Sequence, residues 1–466
     1  MSSRKNGVKK QDAPQVSPEA AARLREIYGE IMARNPEHDF DPTLDRVREV
    51  CDLLGNPQNA YRSIHITGTN GKTSTARMIE SLVDEFGLRT GRFTSPHLTS
   101  VTERIAIDGE PISVERFIET YDDVLPYIEM VDAKSVEAGG PRLSFFEVLT
   151  VMAFAAFADT PIDVAIVEVG MGGAWDSTNV IDGEVAVIAP ISLDHTKWLG
   201  DTIRDIAIEK SGIIKEGATV VVSEQEESAE TEILAAAAEK NARVLAEGRE
   251  MSVSARVPAV GGQVINLTTP AATYTDIYLP LFGEHQAHNA LLALTAVETL
   301  MANGGALPGE IVEAGFAKAT SPGRLEIVRS SPTIVVDAAH NPGGAEVLVK
   351  ALEESFNFER LVGVIGILGD KDAETVLSIL EPVLAEVVIT TSSSVRSTDV
   401  EELADLAREI FGEDRVFAEE RLDDAIDLAG ARAEYYDTIG VGTGTGVLVA
   451  GSVILAAEAR ILLGRG

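Results

Sequence analysis

The chain has 466 residues, of which 45% are hydrophobic and 24% charged. That is the composition of a globular protein of two or three domains at roughly 150 residues each, and it excludes a mainly disordered chain, a collagen-like repeat and a disulfide scaffold. Asp and Glu number 74 against 39 Lys and Arg, so the net charge is −35. A chain this acidic has no general attraction for nucleic acid or an anionic membrane, and it must gather local positive charge wherever it handles an anionic small molecule.

The N-terminus, MSSRKNGVKKQ, is basic and polar with no apolar run behind it. It is no secretory signal, and residues 1–17 are expected to form a disordered tail. The only cysteine, Cys51, rules out an intramolecular disulfide and a cysteine-based zinc cluster, which fits the reducing cytoplasm. The longest apolar stretches, 149–158 and 446–457, fall short of the roughly 18–20 residues a membrane span needs. Neither a membrane nor a nucleic acid is expected as a partner.

Strand-like and helix-like segments then alternate. IHIT (64–67) runs through a Gly-rich turn into the helical pattern KTSTARMIESLVDEF. LRTGRF (88–93), DVAIVEVG (163–170), EVAVIAPI (184–191) and ATVVVSE (218–224) read as strands. The last three are continuous Val/Ile-rich runs, which suit strands covered on both faces of a parallel sheet. Residues 250–282 are β-branched and turn-rich, and predict a small antiparallel patch; EHQAHNALLALTAVETLMA returns to helix. A second α/β series follows TSPGRLE (320–326), with strands in TIVVDAAHNP, LVGVIGILGD, EVVITTSS and RVFAEE. GVLVAGSVILAAEARILL closes the chain as strand, turn and helix. Pro322 and Gly323 mark a hinge. The expected fold is α/β: a P-loop-containing, doubly wound, mostly parallel sheet domain (18–320) with a small antiparallel patch, and a smaller Rossmann-like α/β domain (321–466).

The strongest local motif is Gly68-Thr69-Asn70-Gly71-Lys72-Thr73-Ser74, between a strand and a helix. Glycines let backbone N–H groups approach phosphate oxygens, the helix start adds positive potential, and Lys72 supplies a full charge. Thr73 can offer a hydroxyl to Mg²⁺, although Gly-x-x-Gly-Lys-Thr is shorter than the standard P-loop. Glu168 ends the strand DVAIVEVG, where an acidic metal ligand would face the phosphates. Ser95-Pro96-His97 and Asp194-His195 each follow a strand, the position from which open α/β sheets build sites. Of the seven histidines, His97, His195, His285, His288 and His340 fall near strand or helix ends.

Together these segments resemble the folylpolyglutamate synthase and dihydrofolate synthase family of the Mur-ligase-like superfamily. The resemblance runs in order through TLDRVREVCDLLGNPQ, TGTNGKTS, FTSPHLTSVTERIAIDG, LSFFEVLT, EVGMGGAWDSTN, ISLDHTKWLG, EKSGIIK, FGEHQAHNA, SPGRLE, DAAHNP and GDKDAE. It implies an ATP-dependent amide-bond ligase that phosphorylates a carboxylate and passes the acyl group to the amine of L-glutamate, with dihydropteroate and reduced folates as acceptors. It implies Ser95, Glu168 and His195 as magnesium ligands, and the loop from Gly68 to Ser74 as the ATP cradle. Asn289, Arg324 and Asp337 correspond to further ATP-binding positions, with His340 beside them. Lys210 matches a lysine that becomes carbamylated, and Lys72, Lys210 and His195 would carry the chemistry. Asp41, Pro42 and Thr43, then Ser144, Phe145, Phe146 and Glu147, then Trp175, Asp176 and Ser177, match segments that contact the pterin substrate; the two phenyl rings can stack on a flat pterin, with a place in the core expected for at least one of them. A monomer is expected, with the site completed by domain closure. In Ala174-Trp175-Asp176 the family often has Arg-Leu-Asp, which leaves that loop's contacts open. Two other readings stay in view: a superfamily ligase acting on a UDP-muramyl peptide, and a nucleotide-binding protein without chemistry.

Overall fold

The computed structural model describes residues 16–34, 41–435 and 444–465. The expected tail therefore lies outside the described residues up to position 15, and at its end the Ser17 side chain caps the first helix, Pro18–Met32.

The first sheet has eight strands: β1 (Arg62–Thr67), β2 (Thr90–Phe93), β3 (Ile105–Ile107), β4 (Glu110–Pro111), β5 (Val164–Glu168), β6 (Val185–Ile188), β7 (Thr219–Val222) and β8 (Arg243–Ala246). Their spatial order is β4-β3-β2-β5-β1-β6-β7-β8. From β2 to β8 the pairing is parallel, and only β3 and β4 run antiparallel at the edge. The hairpin arises because ERIAIDGEPI has an Asp108-Gly109 turn with both residues at positive φ. The central strands are buried almost throughout because both faces are covered; β5, β6 and β7 are largely Val and Ile, and β1 also buries Ser63, His65 and Thr67. On β1, Ile64 and Ile66 face a core with the helices Lys72–Asp84 and Glu284–Ala302. On β5, Ala165 and Val167 face the other way, onto Phe145–Asp159 and Val114–Glu137.

β9 (Ser252–Ala259), β10 (Gly262–Thr268) and β11 (Thr273–Leu279) form the antiparallel patch. Alternate residues Ile265, Leu267, Ile277 and Leu279 join the first core, while Val257 and Val260 stay exposed. The last sheet contains β12 (Glu326–Ser330), β13 (Thr333–Val336), β14 (Arg360–Ile365), β15 (Glu386–Ile389), β16 (Val416–Ala418) and β17 (Thr445–Ala450). Its order is β12-β13-β17-β14-β15-β16, parallel apart from β12. Among the described residues no helix is long and apolar enough to cross a membrane.

In the large sheet the chain leaves β1 toward β2 on one side and enters β6 on the other. The carboxyl ends of β1, β5 and β6 therefore open on a crevice at a switch point, where ligands bind in such sheets.

Candidate active site

β1 ends at Thr67 and the loop turns at Gly68 and Gly71, with φ of +146° and +86°. A Cβ on Gly68 would come 2.8 Å from Ala189 Cβ, and one on Gly71 would come 2.5 Å from Asn289 Oδ1. Only glycine satisfies both demands. The helix Lys72–Asp84 that follows has Gly71 as its N-cap, with no side chain capping it. Its first N–H groups are thus available to an anion.

Two lysines converge on this loop. Lys72 Nζ donates to the carbonyls of Gly68 (3.0 Å) and Thr69 (3.1 Å), and Lys210 Nζ donates to Gly68 from the other side at 2.9 Å. Lys210 is therefore no surface lysine; its 4% exposure puts it in the interior. Burial, with the Lys72 ammonium beside it, pushes the Lys210 amine down to about 7. Glu168, at the end of β5, accepts the Thr73 hydroxyl at 3.0 and 2.9 Å and the Ser95 N–H at 3.4 Å. Burial raises the Glu168 carboxyl from its ordinary range, while Lys72 and the Thr73 hydroxyl act against that rise.

The expected magnesium ligands come from three strand ends, and the Lys72 charge is felt by both Glu168 and His195. Ser95 and Glu168 stand together at Thr73. His195 lies beside Asp194, which gathers groups from the second half of the chain. Lys371 Nζ donates to Asp194 Oδ1 at 2.7 Å, Asn341 Nδ2 donates to Oδ2 at 3.0 Å, and His340 Nε2 lies 3.8 Å from Oδ2. Burial alone would raise the Asp194 carboxyl, but His195, Lys371 and His340 hold it well below the usual carboxylate range. Among the described residues no three His, Cys, Asp or Glu side chains form a metal cage. The hard oxygens of Glu168, Ser95 and Thr73 instead suit an ion that takes few protein ligands and completes its shell with phosphate and water, as Mg²⁺ does.

The second half supplies the opposite wall. Arg324 lines a cleft with Thr73, Ser321 and Pro322. Asp337 holds the wall's two loops together, accepting the N–H of Leu325 at 2.8 Å and of Ala339 at 2.7 Å. Leu325 is held at φ +46°, a strained position for a leucine that fixes the chain just after Arg324. Asn289 sits under Gly71, bonded to Gln286 at 3.1 Å, and Ser74 Oγ meets Ser321 Oγ at 2.8 Å. His288 pairs with Glu247, so that interaction does not recruit it to the cleft.

The pterin-side residues form a neighbouring cluster tied by a residue the motifs did not single out. Arg46 Nε donates to Glu147 Oε1 at 3.1 Å, Nη1 to Asp41 Oδ2 at 3.2 Å and Nη2 to the Asp41 carbonyl at 2.9 Å. It thereby joins the 41–43 segment, where Thr43 Oγ1 accepts the Asp45 N–H, to the Ser144–Glu147 capping box. The signal was present as the arginine of LDRV. The expected stacking rings need correction. Phe145 and Phe146 are 3% and 9% exposed and belong to the core, Phe145 under the Arg104 guanidinium and Phe146 against Phe93. The apolar helix they begin demands their burial. Asp176 receives the N–H of Met171 and Thr178, and Ser177 bonds Thr150 at 2.7 Å, so both shape the loop. Trp175 N–H donates to Glu209 at 3.2 Å. A Cβ on Gly212 would lie 2.4 Å from Ala174 Cβ, a close approach that explains a small residue at position 174.

The chain is similar to known proteins along most of its length. A family model described as the Mur ligase middle domain matches residues 66–297, and one described as Mur ligase, glutamate ligase domain, matches residues 323–453. The dihydrofolate synthase/folylpolyglutamate synthase of Mycobacterium tuberculosis is 50% identical over 465 residues, covering 96% of each chain. A crystal structure of the Mycobacterium tuberculosis folylpolyglutamate synthase complexed with ADP and AMPPCP superposes with a TM-score of 0.91 at 49% identity, over 96% of this chain and 99% of that one. FolC of E. coli in complex with DHPP and ADP superposes with a TM-score of 0.82 at 29% identity, over 96% and 99%.

Proposed function

The chain belongs to the dihydrofolate synthase/folylpolyglutamate synthase family of Mur ligases, and on that premise we propose that it adds L-glutamate to dihydropteroate, making dihydrofolate, and to reduced folates, extending their glutamate tail. The observation that carries this is the convergence of Lys72, Lys210 and Glu168 on one glycine loop facing Arg324.

A carboxylate is a poor acylating agent and has to be activated. One oxygen of the acceptor carboxylate attacks the terminal phosphorus of ATP, the bond to the bridging oxygen breaks, and ADP leaves. The glutamate amine attacks the acyl phosphate carbon, loses a proton, and inorganic phosphate departs. The protein contributes position and charge. The uncapped helix start and Lys72 hold the phosphates. Asn289 closes the floor under Gly71, and Arg324, Asp337 and His340 approach from the opposite wall. A magnesium ion held by Glu168, Ser95 and the Thr73 hydroxyl, and one on the His195 side, would neutralise phosphate charge.

Carbamylation of Lys210 fits its surroundings. A neutral amine adds carbon dioxide and releases a proton, and the product anion beside Lys72 replaces a like-charge contact by an attractive one. We place the domain junction at residues 320 and 321 and the glutamate site on the C-terminal side of the cleft. Asp41, Pro42, Thr43 and the 175–177 loop bound the pterin end, while Ser144 and Glu147 hold its frame. The enzyme is taken to work as a monomer in the cytoplasm. Complementation separates the two activities. Rescue both of a strain lacking dihydrofolate synthase and of one lacking polyglutamylation supports both, rescue of polyglutamylation alone restricts the enzyme to tail extension, and rescue of neither contradicts the reading.

A further inference from the structure

Arg77 lies four residues beyond Thr73 on the helix Lys72–Asp84, on the same face and about 6 Å further along its axis. It lines the cleft with Thr73, Pro96, Ser321 and Arg324. Among the described residues its guanidinium has no hydrogen bond and no ion pair. The acids around it already hold other donors, although the buried Oε1 of Glu80 has no partner. Glu103 accepts the N–H groups of Leu98, Thr99 and Ser100 at 2.9, 2.7 and 2.8 Å. Glu80 is bonded by Arg92 at 2.7 Å, and Glu168 by Thr73 and Ser95. Burial lowers Arg77 to about 10, which leaves it cationic at neutral pH. Arg324 across the cleft likewise has no acid partner and donates only to the Gly323 carbonyl at 3.2 Å.

Two unpaired guanidinium groups thus face one cleft in a chain of net charge −35. Both are planar forks that match the two oxygens of a carboxylate or phosphoryl group. The glycine loop and Lys72 already serve the nucleotide phosphates. Arg77 stands one turn beyond Thr73 and shares the cleft with Arg324, which leaves this pair for a second anionic group.

We infer that Arg77 is a substrate-binding residue that takes an oxyanion at the reacting end of the cleft, the acceptor carboxylate or the phosphoryl group being transferred, between itself and Arg324. This rests on the ligase reading above. Removal of the charge weakens whichever group it holds, and the acceptor carboxylate is favoured because the glycine loop and Lys72 already serve the nucleotide phosphates.

The test compares wild type with Arg77→Gln and Arg77→Lys, after their unfolding midpoints are shown to match. Equilibrium binding is measured for a folate acceptor, for the same acceptor with its reacting carboxylate converted to the amide, and for a non-hydrolysable ATP analogue against ADP. Wild type should prefer the acid over the amide, and Arg77→Gln should lose that preference by more than tenfold, with Arg77→Lys between them. Loss of the ATP analogue's advantage over ADP would instead assign the phosphoryl group. Unchanged discrimination in both comparisons overturns the inference. A wild type that binds ATP but turns over no folate acceptor overturns the ligase reading instead, and the nucleotide comparison still decides Arg77.

Discussion

Lys210 is the residue whose chemistry depends most on its setting. Burial and the Lys72 ammonium bring its amine to about 7. A lysine with a lowered value is protonated below it and neutral above it, and only the neutral form adds carbon dioxide. Turnover should therefore climb as pH rises through about 7, and fall in carbon-dioxide-free buffer until bicarbonate is restored. Lys210→Ala should lose about 100-fold in turnover, the scale seen when a group orienting a metal site is removed, with partial rescue by a short-chain carboxylic acid. A pH profile flat from 6 to 8 with full activity in the variant would contradict this assignment. At the same scale, Gly71→Ala brings a Cβ to 2.5 Å from Asn289 Oδ1 at a φ of +86°. Left-handed backbone alone costs an alanine about 1–2 kcal/mol, so ATP affinity measured by calorimetry should fall about tenfold.

Element by element, the sequence was most legible where chemistry and periodicity agreed. Glu284–Ala302 is helical over the whole of the segment EHQAHNALLALTAVETLMA, because it is apolar all round and buried all round. The loop from Gly68 to Ser74 and the carboxylate of Glu168 stood where strand ends placed them. Phe145 and Phe146 matched a substrate-contacting segment, and the core place foreseen for at least one of them holds for both, because a helix with no polar face must bury its first turn as well. One feature was hidden. Arg46 was invisible as a tie because its partners, Asp41 and Glu147, are brought together only by tertiary packing.

For the molecule as a whole, the decisive feature is a cationic cleft in an acidic protein. Lys72, Arg77 and Arg324 supply locally the positive charge that a net −35 denies globally. The two halves meet there through Asp194, Lys371 and Asn341. At 9% exposure on each side, the Asp194–Lys371 pair is dry, so it should couple the halves more strongly than a surface ion pair. A double-mutant cycle on Asp194→Ala and Lys371→Ala, read by unfolding, should give a coupling above about 1 kcal/mol; a value near zero would mean the contact contributes nothing to the junction. Small-angle scattering should show further compaction when Mg-ATP and a folate are added together.

The most direct measurement is ADP and phosphate release by the full chain with Mg-ATP and L-glutamate, run in parallel with 7,8-dihydropteroate, a reduced folate monoglutamate and a UDP-muramyl peptide. Release with both pterin acceptors and none with the muramyl peptide is the predicted result. Release only with the muramyl peptide, or none with any acceptor, would contradict the account.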